Sequence, residues 1–169
     1  MIEQIEPVQD VKRRRDAVLS GFVERVPFLK FMGITFDRRG NELTAVMNFD
    51  PKLIGNPVVQ RLHGGGTASF LESAAIITLA WKNIWDAMEA NELDLENLEG
   101  GALPPLPKTI DLTIDYLRPG LPRDAYARAT VNRSGRRYAS VHVEAWQDRR
   151  EVLFAQATGH FLMPYETRS

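Results

Sequence analysis

The chain has 169 residues, a hydrophobic fraction of 44%, a charged fraction of 25% and a formal net charge of −1. These values are typical of one globular domain with a sizeable core, and the near-neutral charge argues against nucleic acid or an anionic membrane surface as a bulk partner. The absence of cysteine excludes disulfides, thiolate metal sites and a cysteine nucleophile, and it agrees with a reducing, cytoplasmic compartment. The polar residues 1–15 show no apolar signal core, and no apolar run is long enough to predict a membrane span.

The first predicted element is an amphipathic helix over residues 9–26, where apolar side chains recur at helical spacing. We expect the basic triplet Arg13–Arg15 to lie on a solvated face of this helix and Pro27 to end it. The helix forms an N-terminal extension, residues 1–27, of the single domain that we expect over 1–169.

Two strand-like segments follow at 31–36 and 43–49, and a loop rich in proline, glycine and asparagine covers 50–61. A long helical stretch then runs from Gly64 to about residue 91. It is apolar on nearly every side as far as Trp81, which predicts a buried helix.

The segment 89–107 is acidic and then rich in glycine and proline, so we interpret it as a fraying helix end and a loop. Beyond it the apolar period changes to two, which predicts a four-strand antiparallel meander with one buried face. The four predicted strands are Thr109–Leu117, Asp124–Arg133, Arg137–Gln147 and Glu151–Leu162. One apolar helix needs a cover, so the pattern predicts an α+β fold in which a curved antiparallel sheet wraps around the long helix.

The chemistry-bearing residues lie at the start of the long helix. Glu72 is the one charged residue between Gly64 and Trp81, and a carboxylate within an apolar helix costs several kcal/mol unless it is paired or faces a cavity. The glycines from Gly64 to Gly66 would let a substrate approach the backbone closely, and Gly65 is a candidate substrate-binding residue for this reason. The first N–H groups of the helix, which lie here, have no partner within the helix. Such a helix start can hold an oxyanion, although a solvated acid and a simple capping turn are the alternatives.

Two segments resemble the PaaI-like hotdog thioesterases. The stretch 56–75 contains His63-Gly64-Gly65, followed by an acid, Glu72, eight residues after Gly64. The stretch 109–120 contains Tyr116-Leu117-Arg118-Pro119, similar to the Phe/Tyr-x-Arg-Pro end of the family's next strand. The resemblance runs from about residue 31 to residue 163.

The resemblance implies a hotdog fold in which two long helices lie side by side in a dimer, or in a tetramer of two dimers. It implies hydrolysis of an acyl-CoA thioester, with the N–H of Gly64 on the carbonyl and Glu72 of the partner subunit as general base or nucleophile. Thr109 matches a position whose hydroxyl often places the water; an ordinary strand threonine is the alternative. No cofactor is implied.

The chain departs from the family pattern before the histidine. Many members have asparagine six residues before it, where this chain has Pro57; Asn56 is one residue further away, and Gln60 is a possible substitute. The segment 89–107 is longer than usual for the family. A lid over the site and a wall of the acyl pocket are the two roles that we consider for it.

Arginines are expected at the mouth of the site because CoA carries phosphates, which match the planar donor fork of arginine. The candidates are Arg118 at the strand end and Arg136 and Arg137 after a turn, with solvated turn arginines as the alternative. His63 belongs to the signature, and we expect it to shape the turn, with a catalytic role as the alternative. Three scattered histidines do not predict a metal site.

Two other functions remain open at this point. The first is a non-catalytic hotdog module that binds acyl-CoA, which would have no need of Glu72. The second is a dehydratase, whose histidine-containing motifs are not found here. Fold alone does not distinguish them.

Overall fold

The computed structural model describes residues 8–90 and 103–164. Within these residues the elements are three α-helices and eight strands. In chain order they are α1 Val8–Glu24, α2 Pro27–Met32, β1 Ile34–Arg39, β2 Glu42–Met47, β3 Ile54–Asn56, β4 Arg61–Leu62, α3 Gly64–Glu89, β5 Lys108–Tyr116, β6 Ala125–Ser134, β7 Tyr138–Trp146 and β8 Leu153–Leu162. No helix in the described ranges is long and apolar enough to cross a membrane.

Helix α1 confirms the first predicted element, but its basic triplet is not wholly solvated. The guanidinium of Arg15 lies 4.0 Å from the ring centre of Trp85 on α3, and its Nε is buried. Arg38 of β1, with a side chain only 6% exposed, donates from Nε to Asp16 at 2.8 Å. The expectation of a solvated basic face was wrong for Arg15, because α1 packs against α3.

Pro27 does not simply end a helix; it begins the short helix α2. Proline suits a first helical turn because the N–H that it lacks has no partner there anyway. Gly33, with φ of 69°, ends α2 in the left-handed conformation, so β1 starts at Ile34. The predicted strand over 31–36 therefore began too early.

The main sheet has six antiparallel strands in the order β1-β2-β6-β7-β8-β5. The four predicted strands after the helix are confirmed within a few residues, but the predicted meander was wrong because β5 pairs with β8 rather than with β6. The N–H groups of Leu117 and Arg118 donate to Phe154 O, at 2.9 and 3.0 Å. Gln147, just after β7, exchanges hydrogen bonds with the backbone of Leu121. The connection from β5 to β6 thus crosses the ends of β8 and β7.

Helix α3 packs against β2, β5, β6, β7 and β8, so the sheet curves around it as expected. Its buried side chains run along most of its length. They include Phe70, Leu71, Ala74, Ala75, Ile77, Leu79, Trp81 and Ile84. On β7 the alternating residues Ala139, Val141, Val143 and Ala145 are buried beneath it, which confirms the predicted two-residue period.

Two predicted loops differ in outcome. The segment 50–61 contains a 3₁₀ turn at Pro51–Leu53 and the small hairpin of β3 and β4. Residues 91–102, most of the segment 89–107, lie outside the described residues. Arg25, just after α1, donates to the carbonyls of Leu103 and Pro104, at 3.3 and 2.8 Å.

Candidate active site

His63 is the N-cap of α3, with extended backbone angles of −66° and 130°. Its Nδ1 accepts hydrogen bonds from the N–H groups of Gly65, at 2.9 Å, and Gly66, at 3.3 Å. Its carbonyl accepts from Thr67 N at 3.0 Å. The ring must therefore carry no proton on Nδ1, and it satisfies two donors that a helix start otherwise leaves open.

Capping by His63 leaves the N–H of Gly64 available. Among the described residues, this group makes no hydrogen bond. Gly64 is exposed and is the first residue of α3, at the positive end of the helix dipole. In the part of the chain that the structure describes, the N–H of Gly64 is thus the one backbone donor in the first turn of α3 without an acceptor, at the position expected for binding a carbonyl oxygen.

The three glycines are not equivalent. A Cβ on Gly65 would lie 2.9 Å from Cε1 and 3.0 Å from Nδ1 of the His63 ring, which is too close. On Gly64 or Gly66 it would meet its nearest neighbours at 3.5 or 3.7 Å, an ordinary contact. The absence of a side chain at Gly65 is therefore what allows His63 to cap the helix.

The hairpin of β3 and β4 holds His63 in place. The N–H of His63 donates to Leu53 O at 2.8 Å, and a Cβ on Gly55 would lie 2.7 Å from the Cα of His63. Leu62 N donates to Gly120 O at 3.0 Å, and a Cβ on Gly120 would lie 3.0 Å from Leu62. The sequence analysis missed the roles of Gly55 and Gly120, because each is needed only by a backbone that approaches it in the folded chain.

Asn56 and Gln60 lie at the exposed tip of this hairpin and bond to its own backbone. The Asn56 carboxamide accepts from the N–H groups of Val58 and Val59, at 3.1 and 3.3 Å. Gln60 has a left-handed φ of 50° and donates from Nε2 to Pro57 O at 2.7 Å. Both side chains thus form the turn that precedes His63.

Glu72 lies on the β5 side of α3, half-buried, and is hydrogen-bonded. The hydroxyl of Thr109, near the start of β5, donates to its Oε1 at 2.5 Å. Eight residues of α-helix separate Gly64 from Glu72, which is about 12 Å along the axis. In one chain, a carbonyl bound at the N–H of Gly64 is therefore out of reach of the carboxylate of Glu72.

Tyr116, at the other end of β5, was not predicted as a site residue. Its hydroxyl donates to Gly64 O at 2.8 Å, while its side chain is exposed. One strand therefore contacts both parts of the candidate site, through Thr109 and through Tyr116. The sequence contained Tyr116 within the strand-end motif, but no spacing rule linked it to a helix 52 residues earlier.

The predicted arginines lie at opposite ends of the sheet. Arg118 follows Tyr116 at the Gly64 end and donates from Nη1 to Leu153 O at 2.7 Å. Arg136 and Arg137 lie in the β6–β7 turn, just before Tyr138. This turn is at the same end of the sheet as Thr109, because Tyr138 and Lys108 both pair with Leu162. All three arginines are exposed. Within one chain they are divided between the Gly64 end and the Glu72 end.

In the described ranges, no group of three or more histidine or acidic side chains is arranged to hold a metal ion. His160, for which the sequence suggested no partner, lies 2.8 Å from Asp111 on the exposed face of β8 and β5.

The chain is similar to known thioesterases in sequence and structure. A family model described as the acyl-CoA thioesterase N-terminal domain matches residues 56–162. The medium/long-chain acyl-CoA thioesterase YigI of Escherichia coli K12 is 28% identical over 145 residues, which cover 84% of this chain and 88% of YigI.

Two solved structures illustrate the similarity of fold. A protein from Shewanella oneidensis related to the thioesterase superfamily has a TM-score of 0.71 and 27% identity, over 88% of this chain and 96% of its own. The PaaI protein from the E. coli phenylacetic acid degradation operon has a TM-score of 0.63 and 18% identity, over 89% and 93%. The predicted hotdog fold is confirmed. The chain therefore belongs to the acyl-CoA thioesterase family and has the hotdog fold.

Proposed function

We propose that this protein hydrolyses an acyl-CoA thioester to a free carboxylic acid and CoA, in a site formed by Gly64 of one subunit and Glu72 of another. The observation that carries the proposal is that the N–H of Gly64 has no acceptor among the described residues, whereas His63 accepts from the N–H groups of Gly65 and Gly66. A backbone donor at the positive end of a helix stabilises the negative charge that develops on a thioester oxygen.

The separation of about 12 Å between Gly64 and Glu72 along the helix supports a site that is shared between subunits. The position of β5 supports assembly, because β5 is an edge strand of the sheet. Ile110, Tyr116 and Leu117 on and beside this strand are about half exposed. Pairing of two β5 edges would satisfy their open backbone groups and bring the two α3 helices together. A dimer, or a tetramer of two such dimers, is the assembly that we propose.

In the first form of the mechanism, Glu72 acts as a general base. It accepts a proton from water while the water oxygen attacks the carbonyl carbon, and the Gly64 N–H holds the resulting oxyanion. The oxyanion then collapses, the C–S bond breaks, and the thiolate of CoA leaves and is protonated. Thr109, which bonds one carboxylate oxygen, leaves the other free to face water.

In the second form, the carboxylate of Glu72 attacks the carbonyl carbon itself. The C–S bond breaks to give CoA thiolate and a mixed anhydride with Glu72, which water then hydrolyses. The two forms of the mechanism differ in whether ¹⁸O from water can enter the carboxylate of Glu72. A single turnover in ¹⁸O water labels the carboxylate of Glu72 only when the anhydride forms and water attacks its Glu72 carbonyl.

The substrate class that we propose is acyl-CoA, with Arg118, Arg136 and Arg137 as the cations for its phosphates. These arginines lie at opposite sheet ends in one chain, but the ends meet when Gly64 of one subunit approaches Glu72 of the other. Because YigI is named for medium and long acyl chains, the panel of test substrates should extend to those lengths. The cytoplasm is the compartment that we propose, in agreement with a chain that contains no cysteine.

The test is a hydrolysis screen with short, medium, long and aryl acyl-CoAs, in which the released thiol is measured. Glu72→Gln keeps the shape of the side chain and removes its basicity, so turnover should fall by at least about 100-fold. Asp86→Asn, a change of the same kind on the exposed face of α3, is the control and should leave turnover unchanged. Tight binding of acyl-CoA without hydrolysis by the native protein would instead support the non-catalytic binding module.

A further inference from the structure

We propose that Tyr116 is a positioning residue, whose hydroxyl holds the backbone of Gly64 so that the Gly64 N–H points at the substrate. This inference rests on the proposed function. Its basis is the 2.8 Å hydrogen bond that Tyr116 donates to Gly64 O. The phenol would act through the backbone of Gly64 and would not touch the reacting atoms.

The start of α3 needs such a restraint. Three successive glycines open the helix, and glycine favours the helical state less than alanine does. His63 restrains the N–H groups of Gly65 and Gly66, but it makes no bond to the N–H of Gly64. In the described part of the chain, the one side chain bonded to the Gly64 residue is Tyr116.

Restraint of the Gly64 carbonyl limits rotation about the bond between its Cα and its carbonyl carbon. The ring also lies beside Gly64, since a Cβ there would lie 3.6 Å from Cε1 and Cζ of Tyr116. Without these contacts, a glycine at a helix end samples several backbone conformations, and its N–H points in several directions. An oxyanion donor acts only when it is oriented before the reaction, so this freedom would lower the rate.

The contribution of Tyr116 lies in its hydroxyl rather than in packing. Within one chain the side chain is 56% exposed, so burial of its ring contributes little to the core of that chain, and any packing of the ring at the proposed β5 interface is kept when only the hydroxyl is removed. Thr109 lies at the opposite end of the same strand and bonds Glu72. Strand β5 therefore carries one positioning hydroxyl for the oxyanion donor and one for the carboxylate.

The kinetic test is Tyr116→Phe, which removes the hydroxyl and keeps the ring. Loss of an oxyanion donor costs about 100- to 1,000-fold in turnover, and a donor left in place but loosened should cost less, about 10-fold. We expect kcat and kcat/KM to fall together with KM unchanged, because the interaction operates in the transition state. The decrease should be equal for butyryl-CoA and palmitoyl-CoA. Tyr126→Phe is the control, because Tyr126 stacks on Trp146 away from the site and should change neither constant.

A second measurement is independent of activity. The ¹⁵N relaxation of the Gly64 amide should show a lower order parameter in Tyr116→Phe than in the native protein and in Tyr126→Phe. Unchanged turnover together with an unchanged Gly64 order parameter would overturn the inference. So would a lowered melting temperature with a raised KM, since that pattern indicates a structural role. If the native protein hydrolyses no acyl-CoA, the proposed function fails, while the relaxation experiment still tests the positioning of Gly64.

Discussion

The hydroxyl of Thr109 donates a 2.5 Å hydrogen bond to the carboxylate of Glu72, across 37 residues of sequence. Both side chains are half-buried, and one lies on β5 and the other on α3. Glu72 is thus neither a freely solvated acid at the edge of an apolar face nor an unpaired buried charge. The bond restricts the rotation of the carboxylate while leaving its second oxygen available.

This bond leads to the first prediction. Thr109→Val keeps the shape of the side chain but removes its hydroxyl, so the carboxylate loses its orientation and kcat should fall about 10-fold, the value of one hydrogen bond to a charged group. Thr109→Ser should restore most of the activity, because it returns the hydroxyl. Thr113→Val, a change further along the same strand, is the control. Equal activity of the Thr109→Val and Thr109→Ser proteins would show that Thr109 is an ordinary strand residue.

A second prediction tests whether the site is shared between subunits. Gly64→Pro removes the candidate oxyanion donor, and proline is well suited to the first helical position after an extended residue such as His63. Gly64→Pro and Glu72→Gln proteins should each be folded and nearly inactive.

Co-refolding of the two variants in equal amounts should restore about a quarter of native activity, because half of the dimers are mixed and each has one intact site. Light scattering should show dimers or tetramers, and mass spectrometry should verify that mixed dimers formed. Mixed dimers without activity would exclude a site built from Gly64 and Glu72 of different chains.

The third prediction distinguishes the glycines of the helix start. Gly65→Ala places a Cβ 2.9 Å from the His63 ring, so the cap must shift; melting temperature and turnover should both fall. Gly66→Ala meets nothing closer than 3.7 Å, so it should stabilise the protein by about 0.5 kcal/mol through helix propensity. Thermal unfolding of the two variants checks this contrast. Equal stabilities would mean that the His63 cap is not maintained in solution.

The fourth prediction concerns Arg136 and Arg137. Their joint replacement by alanine should raise KM for acyl-CoA with little change in kcat, because phosphates bind equally in the ground and transition states. A pantetheine thioester without phosphates should show a much smaller defect. The charge-matched control replaces Arg13 and Arg39, two exposed arginines outside the candidate site. An equal defect with both substrates would assign the turn arginines a structural role.

The sequence was sufficient for the local elements and for the residues with the greatest chemical contrast. Apolar spacing depends only on which side chains face the core. The helical period predicted α1, the nearly all-apolar stretch predicted α3, and the period of two predicted the four later strands. Glu72 and the glycine triplet could be recognised because a charge in an apolar helix and a flexible helix start are both unusual in any fold. The strand-end motif and the acid spacing were enough to indicate the family, because both are local patterns of residue type.

Relations between distant residues required the tertiary structure. The pairing of β5 with β8 depends on a connection that crosses two strand ends, and no local pattern distinguishes it from a hairpin. The bonds from Thr109 to Glu72 and from Tyr116 to Gly64 join segments that only the folded sheet brings together. Such contacts are absent from the sequence because a hydrogen bond depends on position within a few tenths of an ångström, whereas periodicity specifies only a face of an element.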